Sequence, residues 1–165
     1  MQYAGSAKSE QRTEERILAG VYSVCVAAQH FFQQAAKQAA DSNLRYKFIE
    51  LSKLHSAAAQ QLPAAIKQQA IPQDYSSELA AVQFWYLHQQ AALHNQPMAQ
   101  SMLTELAGLL QQQLHALKQL IRAVHCRTTK VTLAHLSAAL QIASDQLQPL
   151  LQVLPVGRQN IQTKN

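Results

Sequence analysis

Apolar residues recur at three- and four-residue spacing along almost the whole chain, the period at which side chains share one face of an α-helix. A first helix opens at Ser9, whose hydroxyl can cap free N–H groups, with Glu10 beside the positive end of the helix dipole. Its stripe is Leu18, Tyr22, Cys25, Gln29, Phe32 and Ala36, widened by Ile17, Val21, Ala28 and Phe31. Asp41-Ser42-Asn43 breaks it and caps the next helix, which runs from Leu44 to Gln69 with a kink at Pro63. The second stripe, Leu44, Phe48, Leu51, His55, Ala58 and Leu62, holds a histidine inside an apolar face.

Ile71-Pro72-Gln73-Asp74 is the next punctuation, with Asp74 as N-cap of a third helix from Tyr75 to His94. That segment carries Leu79, Val82, Phe84, Trp85, Tyr86 and Leu93, and Asn95-Gln96-Pro97 ends it. A further helix from Pro97 to Cys126 has the stripe Leu103, Leu106, Leu110, Leu114, Leu117, Ile121 and Val124. Arg127-Thr128-Thr129 is a tight connection to a last helix, whose heptad is Leu133, Leu136, Leu140, Ala143, Leu147, Leu150 and Leu154. Pro155-Val156-Gly157 is expected to stop it.

These elements predict an all-α fold: two antiparallel helical hairpins, Ser9 to Gln69 and Pro97 to Leu154, joined by a helix-containing crossover over residues 74–95. A connection long enough to cross the bundle is the ferritin-like arrangement of a four-helix bundle. Residues 9–154 form one domain, with a flexible N-terminus over 1–8 and a flexible tail over 155–165.

Composition changes this picture little. Four Gly and five Pro in 165 residues favour helix throughout. The 26 glutamines, including Gln111-Gln112-Gln113 between Leu110 and Leu114, read as uncharged solvent faces of helices. The net charge of +5 reflects nine acids against 14 bases. The bases are scattered, which argues against a nucleic-acid partner; Arg122, Arg127 and Lys130 only surround an interhelix turn. Cys25 reads as a small buried hydrophobe, and with Cys126 it makes no disulfide framework. No apolar run of signal-peptide or membrane-span length occurs, so a cytoplasmic protein is expected.

The chain resembles a bacterial ferritin-like family of four-helix bundles of unknown function, over residues 14 to 153. The residues that carry the likeness are Phe31-Phe32 with Ala35-Ala36, Asp41 and Leu44 at the turn, Phe48, Trp85 of the intervening helix, and Met102-Leu103-Thr104-Glu105. A ferritin-like metal centre draws a Glu from each of two helices and Glu-x-x-His from the other two. Here the nearest remnants are Ser52-Lys53-Leu54-His55 and Thr132-Leu133-Ala134-His135, with a hydroxyl in place of each carboxylate. The first helix offers Gln29 and Phe32 at the matching depth, and the later one Ala107, Leu110 or Leu114. The chain therefore reads as a divergent member without the carboxylate ligands, and no cofactor is expected.

The chemistry left to weigh belongs to histidines. A rise of about 1.5 Å per residue from each turn sets Gln29, His55, His115 and His135 at mid-bundle depth. His55 is then either a neutral core residue paired with Gln29 or, with His135 and His115, a ligand to iron or zinc. His115-Ala116-Leu117-Lys118 also resembles the His-x-Leu-Lys of histidine phosphotransfer domains, although Gln119 stands where that family has glycine. His30 faces solvent or a partner; His88, His94 and His125 lie at the surface or at element ends. The leading expectation is a non-catalytic bundle that acts through binding or assembly, with a homodimer formed through helix faces. Phe84-Trp85-Tyr86 belongs either to such an interface or to the core.

Overall fold

The computed structural model describes the backbone of residues 2–63, 66 and 77–163, and the side chains of residues 14–63, 66 and 77–151. Among the described residues five helices succeed one another: α1 (Gln2–Gln38), α2 (Ser42–Gln61), α3 (Ser77–Asn95), α4 (Gln100–Ala123) and α5 (Arg127–Thr163). No strand occurs among the described residues, and the fold class is all-α as the periodicity predicts. The Ile71–Asp74 punctuation and the side chains of Ser9 and Leu154 lie outside the described residues.

Local chemistry explains the boundaries, including those that differ from expectation. Asp41 caps α2 by accepting the Leu44 N–H at 2.9 Å. Arg45 then reaches back to the Ala39 carbonyl with two donors, at 3.3 and 2.9 Å, and ties the turn shut. α2 ends at Gln61, because Leu62 precedes Pro63 and is pushed to an extended ψ of 149°. The expected continuation over residues 64–69 lies, apart from Ile66, outside the described residues. α1 begins at Gln2 rather than Ser9; Gln2, Ala4, Ala7 and Lys8 are good helix formers, and Gly5 alone does not interrupt them. α5 continues to Thr163, past the expected stop at Pro155. Proline's fixed φ is itself helical, and what it removes is one backbone donor, which can bend a long helix without ending it. α5 also starts at Arg127, so Arg127-Thr128-Thr129 is its first turn and the connection is residues 124–126. Glu14 of α1 accepts the His125 and Cys126 N–H groups at 2.5 and 3.0 Å, setting a carboxylate at the positive end of α5.

Among the described residues the principal packing neighbours form a closed ring in the order α1, α2, α5, α4, α3 and back to α1. Side-chain bonds give the directions. Gln38 Nε2 donates to the Leu93 carbonyl where α1 and α3 both end, and Phe31 meets Trp85 and Tyr86 halfway along, at 5.2 and 5.5 Å between ring centroids. Those helices are therefore parallel. Trp85 Nε1 donates to Glu105 at 3.2 Å while Glu78 meets His115 at 3.1 Å, so α3 and α4 are antiparallel. Lys47, early in α2, donates to Gln146, late in α5, at 2.6 Å, and that pair is antiparallel as well. α3 thus carries the chain from the base, where α2 ends, to the top, where α4 begins.

Both expected hairpins, α1 with α2 and α4 with α5, are present. The crossing helix differs from expectation. It does not lie over a closed four-helix bundle but stands in the wall, between α1 and α4. Its residues Leu79, Val82, Tyr86 and Leu93 recur at three, four and seven positions and point inward, the first three fully buried. The aromatic triplet is accordingly split: Tyr86 is core, Trp85 is half-buried against Phe31, and Phe84 is 69% exposed. Tyr86 joins Phe31, Phe32 and Phe48, all fully buried, in an aromatic cluster at the middle of the ring, with Phe32 edge-on to both Phe31 and Tyr86 and tilted against Phe48.

Candidate functional site

His55 of α2 lies in this aromatic cluster with no exposed surface, its ring stacked on Phe32 at 5.7 Å and edge-on to Tyr86 at 6.3 Å. Its Nδ1 is 2.7 Å from the Leu51 carbonyl and its Nε2 is 3.0 Å from Gln113 Nε2 of α4. The Gln113 carbonyl oxygen in turn accepts the Tyr86 hydroxyl at 2.6 Å. The hydrogen-bond directions follow from the first acceptor. A backbone carbonyl only accepts, so Nδ1 carries the proton of a neutral ring and Nε2 accepts. Gln113 must then present its amide N–H groups to His55 and its oxygen to Tyr86, which must donate. Three helices are joined by one polar thread in which the Tyr86 hydroxyl, the Gln113 amide and the His55 Nδ1–H each have an acceptor.

The environment keeps the thread neutral. Burial lowers the His55 pKa to about 4, and the Leu51 hydrogen bond offsets only part of that. Burial likewise raises the Tyr86 hydroxyl well above its ordinary value, with a smaller push from Cys25, whose own thiol is raised to about 12. At neutral pH His55 is neither an exchangeable acid nor a free base, and both ring nitrogens are engaged.

Sequence reasoning placed His55 correctly but paired it with the wrong residue. Gln29 meets α2 through its backbone, where its carbonyl accepts the Ser52 hydroxyl at 3.1 Å. The hydroxyl that stands in the carboxylate position of a Glu-x-x-His pattern thus clamps the first hairpin. The partner of His55 is Gln113, which is 1% exposed and not part of a solvent face. The signal was available: Leu106, Leu110, Gln113, Leu117 and Leu120 recur at alternating spacings of four and three. Gln111 and Gln112 are exposed, as the glutamine tract predicts.

The other histidines do not join His55. His135 is exposed on α5. His115 is exposed on α4, with Nδ1 3.1 and 3.2 Å from the two Glu78 oxygens and Nε2 3.5 Å from Gln119. No group of three or more His, Cys, Asp or Glu gathers at metal-binding distance among the described residues. Metal ions need deprotonated nitrogen, oxygen or sulfur donors converging on one point, and here the one buried imidazole already has both nitrogens bonded. Zinc or ferrous iron added in modest excess is therefore expected to leave the melting temperature unchanged. A rise that vanishes in His55→Leu would show that the thread opens to a metal.

No helix among the described residues is long and apolar enough to cross a membrane. No family model matches the chain, and no curated protein or solved structure matches it either.

Proposed function

We propose that this chain is a non-catalytic helical bundle of ferritin-like topology that acts through binding or assembly, and that it associates with a second copy through the outer face of α3. The topology reading rests on two antiparallel hairpins, the antiparallel pairing of α2 with α5, and α3 returning the chain to the top. It differs from a plain ferritin-like bundle in having that returning helix inserted between α1 and α4. The reading as a bacterial, cytoplasmic protein rests on the family resemblance and on two unpaired cysteines, one of them exposed.

The observation that carries the association is the composition of α3. A surface helix normally confines its apolar residues to one stripe, whereas those of α3 are not confined to one face. Its inner face buries Leu79, Val82, Tyr86 and Leu93, yet its outer face still presents Phe84 at 69% and Leu87 at 49% exposure. His88 stacks on Phe84 at 5.9 Å and broadens the patch. Covering such a patch removes apolar area from water at roughly 25 cal/mol per Å² before the cost of association. The fully satisfied thread around His55 supports a packing role for the interior, and the iron- or zinc-binding alternative draws no support from the donor set.

Sedimentation across a range of micromolar concentrations tests this. Wild type is expected to form a concentration-dependent dimer, and Phe84→Glu combined with Leu87→Glu to be monomeric with an unchanged circular dichroism spectrum. A wild type that stays monomeric throughout, or a dimer untouched by both charges, would remove the second copy from the reading.

A further inference from the structure

The outer groove between α1 and α2 is a cavity of about 540 Å³, within the size range of small-molecule sites. Its lining is drawn from two short stripes. Gln33, Ala36 and Lys37 stand three and four apart on α1, and Arg45, Ile49, Ser52 and Lys53 do so on α2. Ala36 is buried, Ile49 is 38% exposed, and Ser52 is buried with its hydroxyl turned to the Gln29 carbonyl. Three cations surround this apolar strip, and no carboxylate is among the lining residues.

Neutralisation of those cations from within the chain is incomplete. Arg45 spends two donors on the Ala39 carbonyl, which fixes its guanidinium and leaves its charge unbalanced. Lys37 and Lys53 have no hydrogen-bond or ion-pair partner among the described residues. The acid next to Ile49 in sequence, Glu50, is already paired with Lys47 at 2.9 Å. Lys37 and Arg45 flank the turn end of the groove, whereas Lys53 stands about 12 Å further along α2 by helical rise.

From this we propose that the α1–α2 groove binds a small anionic amphiphile, its carboxylate at the Lys37–Arg45 end and its apolar body along Ala36 and Ile49 toward Lys53. Arg45 presents a pre-oriented planar donor to a carboxylate, and Lys37 adds a mobile charge. The methylene stem of Lys53 extends the apolar strip while its ammonium remains in water. This site is on a different surface from the outer face of α3, so its success or failure leaves the association reading untouched.

The test is titration of the full chain with decanoate below its micelle threshold, followed by calorimetry and by the NMR shift of the Ile49 methyl groups. Decanol serves as a neutral control, dodecyltrimethylammonium as a cationic one, and vesicles of anionic phospholipid as a membrane control. Decanoate is expected to saturate one site, to shift Ile49, and to bind at least tenfold more tightly than either soluble control. Lys37→Glu with Lys53→Glu should weaken it at least tenfold, and Lys37→Arg with Lys53→Arg should retain it. Both lysines are exposed, so these variants are expected to melt as wild type does. Should the glutamate pair fail to fold, Lys37→Gln with Lys53→Gln makes the same comparison. No Ile49 shift at millimolar decanoate, equal binding of decanol, indifference to the charge reversals, or binding to vesicles alone would each overturn the proposal.

Discussion

Gln113→Leu is expected to destabilise the protein by about 4 kcal/mol, measured by urea unfolding at pH 7. The side chain closes two hydrogen bonds at once, accepting from Tyr86 at 2.6 Å and donating to His55 at 3.0 Å, inside a site with no exposed surface. Leucine fills a similar volume but leaves the His55 Nε2 and the Tyr86 hydroxyl buried without partners, at a cost of about 1–3 kcal/mol each. Its better apolar transfer recovers only part of this. The sharper comparison is the triple variant His55→Leu, Gln113→Leu and Tyr86→Phe, which removes every polar member together. Replacing all partners with apolar groups is often nearly neutral, so the triple variant should be more stable than Gln113→Leu alone. If the single substitution costs less than about 1 kcal/mol, the thread is not the organising feature of the core.

Acidification should release a second large effect through the same histidine. The His55 pKa falls from the ordinary 6.5 to about 4 on folding, so the unfolded chain binds a proton that the folded one refuses. Stability from this source is complete above pH 6.5, falls as the pH drops toward 4, and is lost below that. The full span amounts to about 3 kcal/mol, with about 2 kcal/mol already lost between pH 7 and pH 5. The measurement is the difference between wild type and His55→Leu across that interval, which cancels contributions common to both. The leucine variant should lose about 2 kcal/mol less than wild type between pH 7 and pH 5; parallel pH profiles would mean that His55 becomes charged without opening the core.

Much of the fold was legible because helical periodicity and capping act locally. The Asp41 cap, the α1–α2 hairpin, the stop at Asn95 and the stripe through Leu103, Leu106, Leu110, Leu114 and Leu117 all follow from neighbours within a turn or two. Prolines were the least reliable local marks. Pro63 ended a helix by holding Leu62 in an extended backbone conformation, whereas Pro149 lies inside α5 and Pro155 does not stop it. Burial of His55 was also legible, since the apolar stripe on either side leaves its side chain no route to water.

By itself the amino-acid sequence determined the all-helical class, the two hairpins and a histidine held in the core, since each depends on which residues stand three or four apart. Tertiary structure alone decided three other matters. It placed α3 in the wall between α1 and α4, where Leu79, Val82 and Tyr86 are buried and Tyr86 packs on Phe31 and Phe32; the spacing along α3 gives it an inward face but does not say which helices that face meets. It chose Gln113 over Gln29 as the partner of His55, because a hydrogen bond needs two groups within about 3 Å and periodicity specifies faces, not distances across a ring. It also gathered Lys37, Arg45 and Lys53 around one groove: charges that look scattered along the chain become neighbours when two antiparallel helices set their stripes side by side.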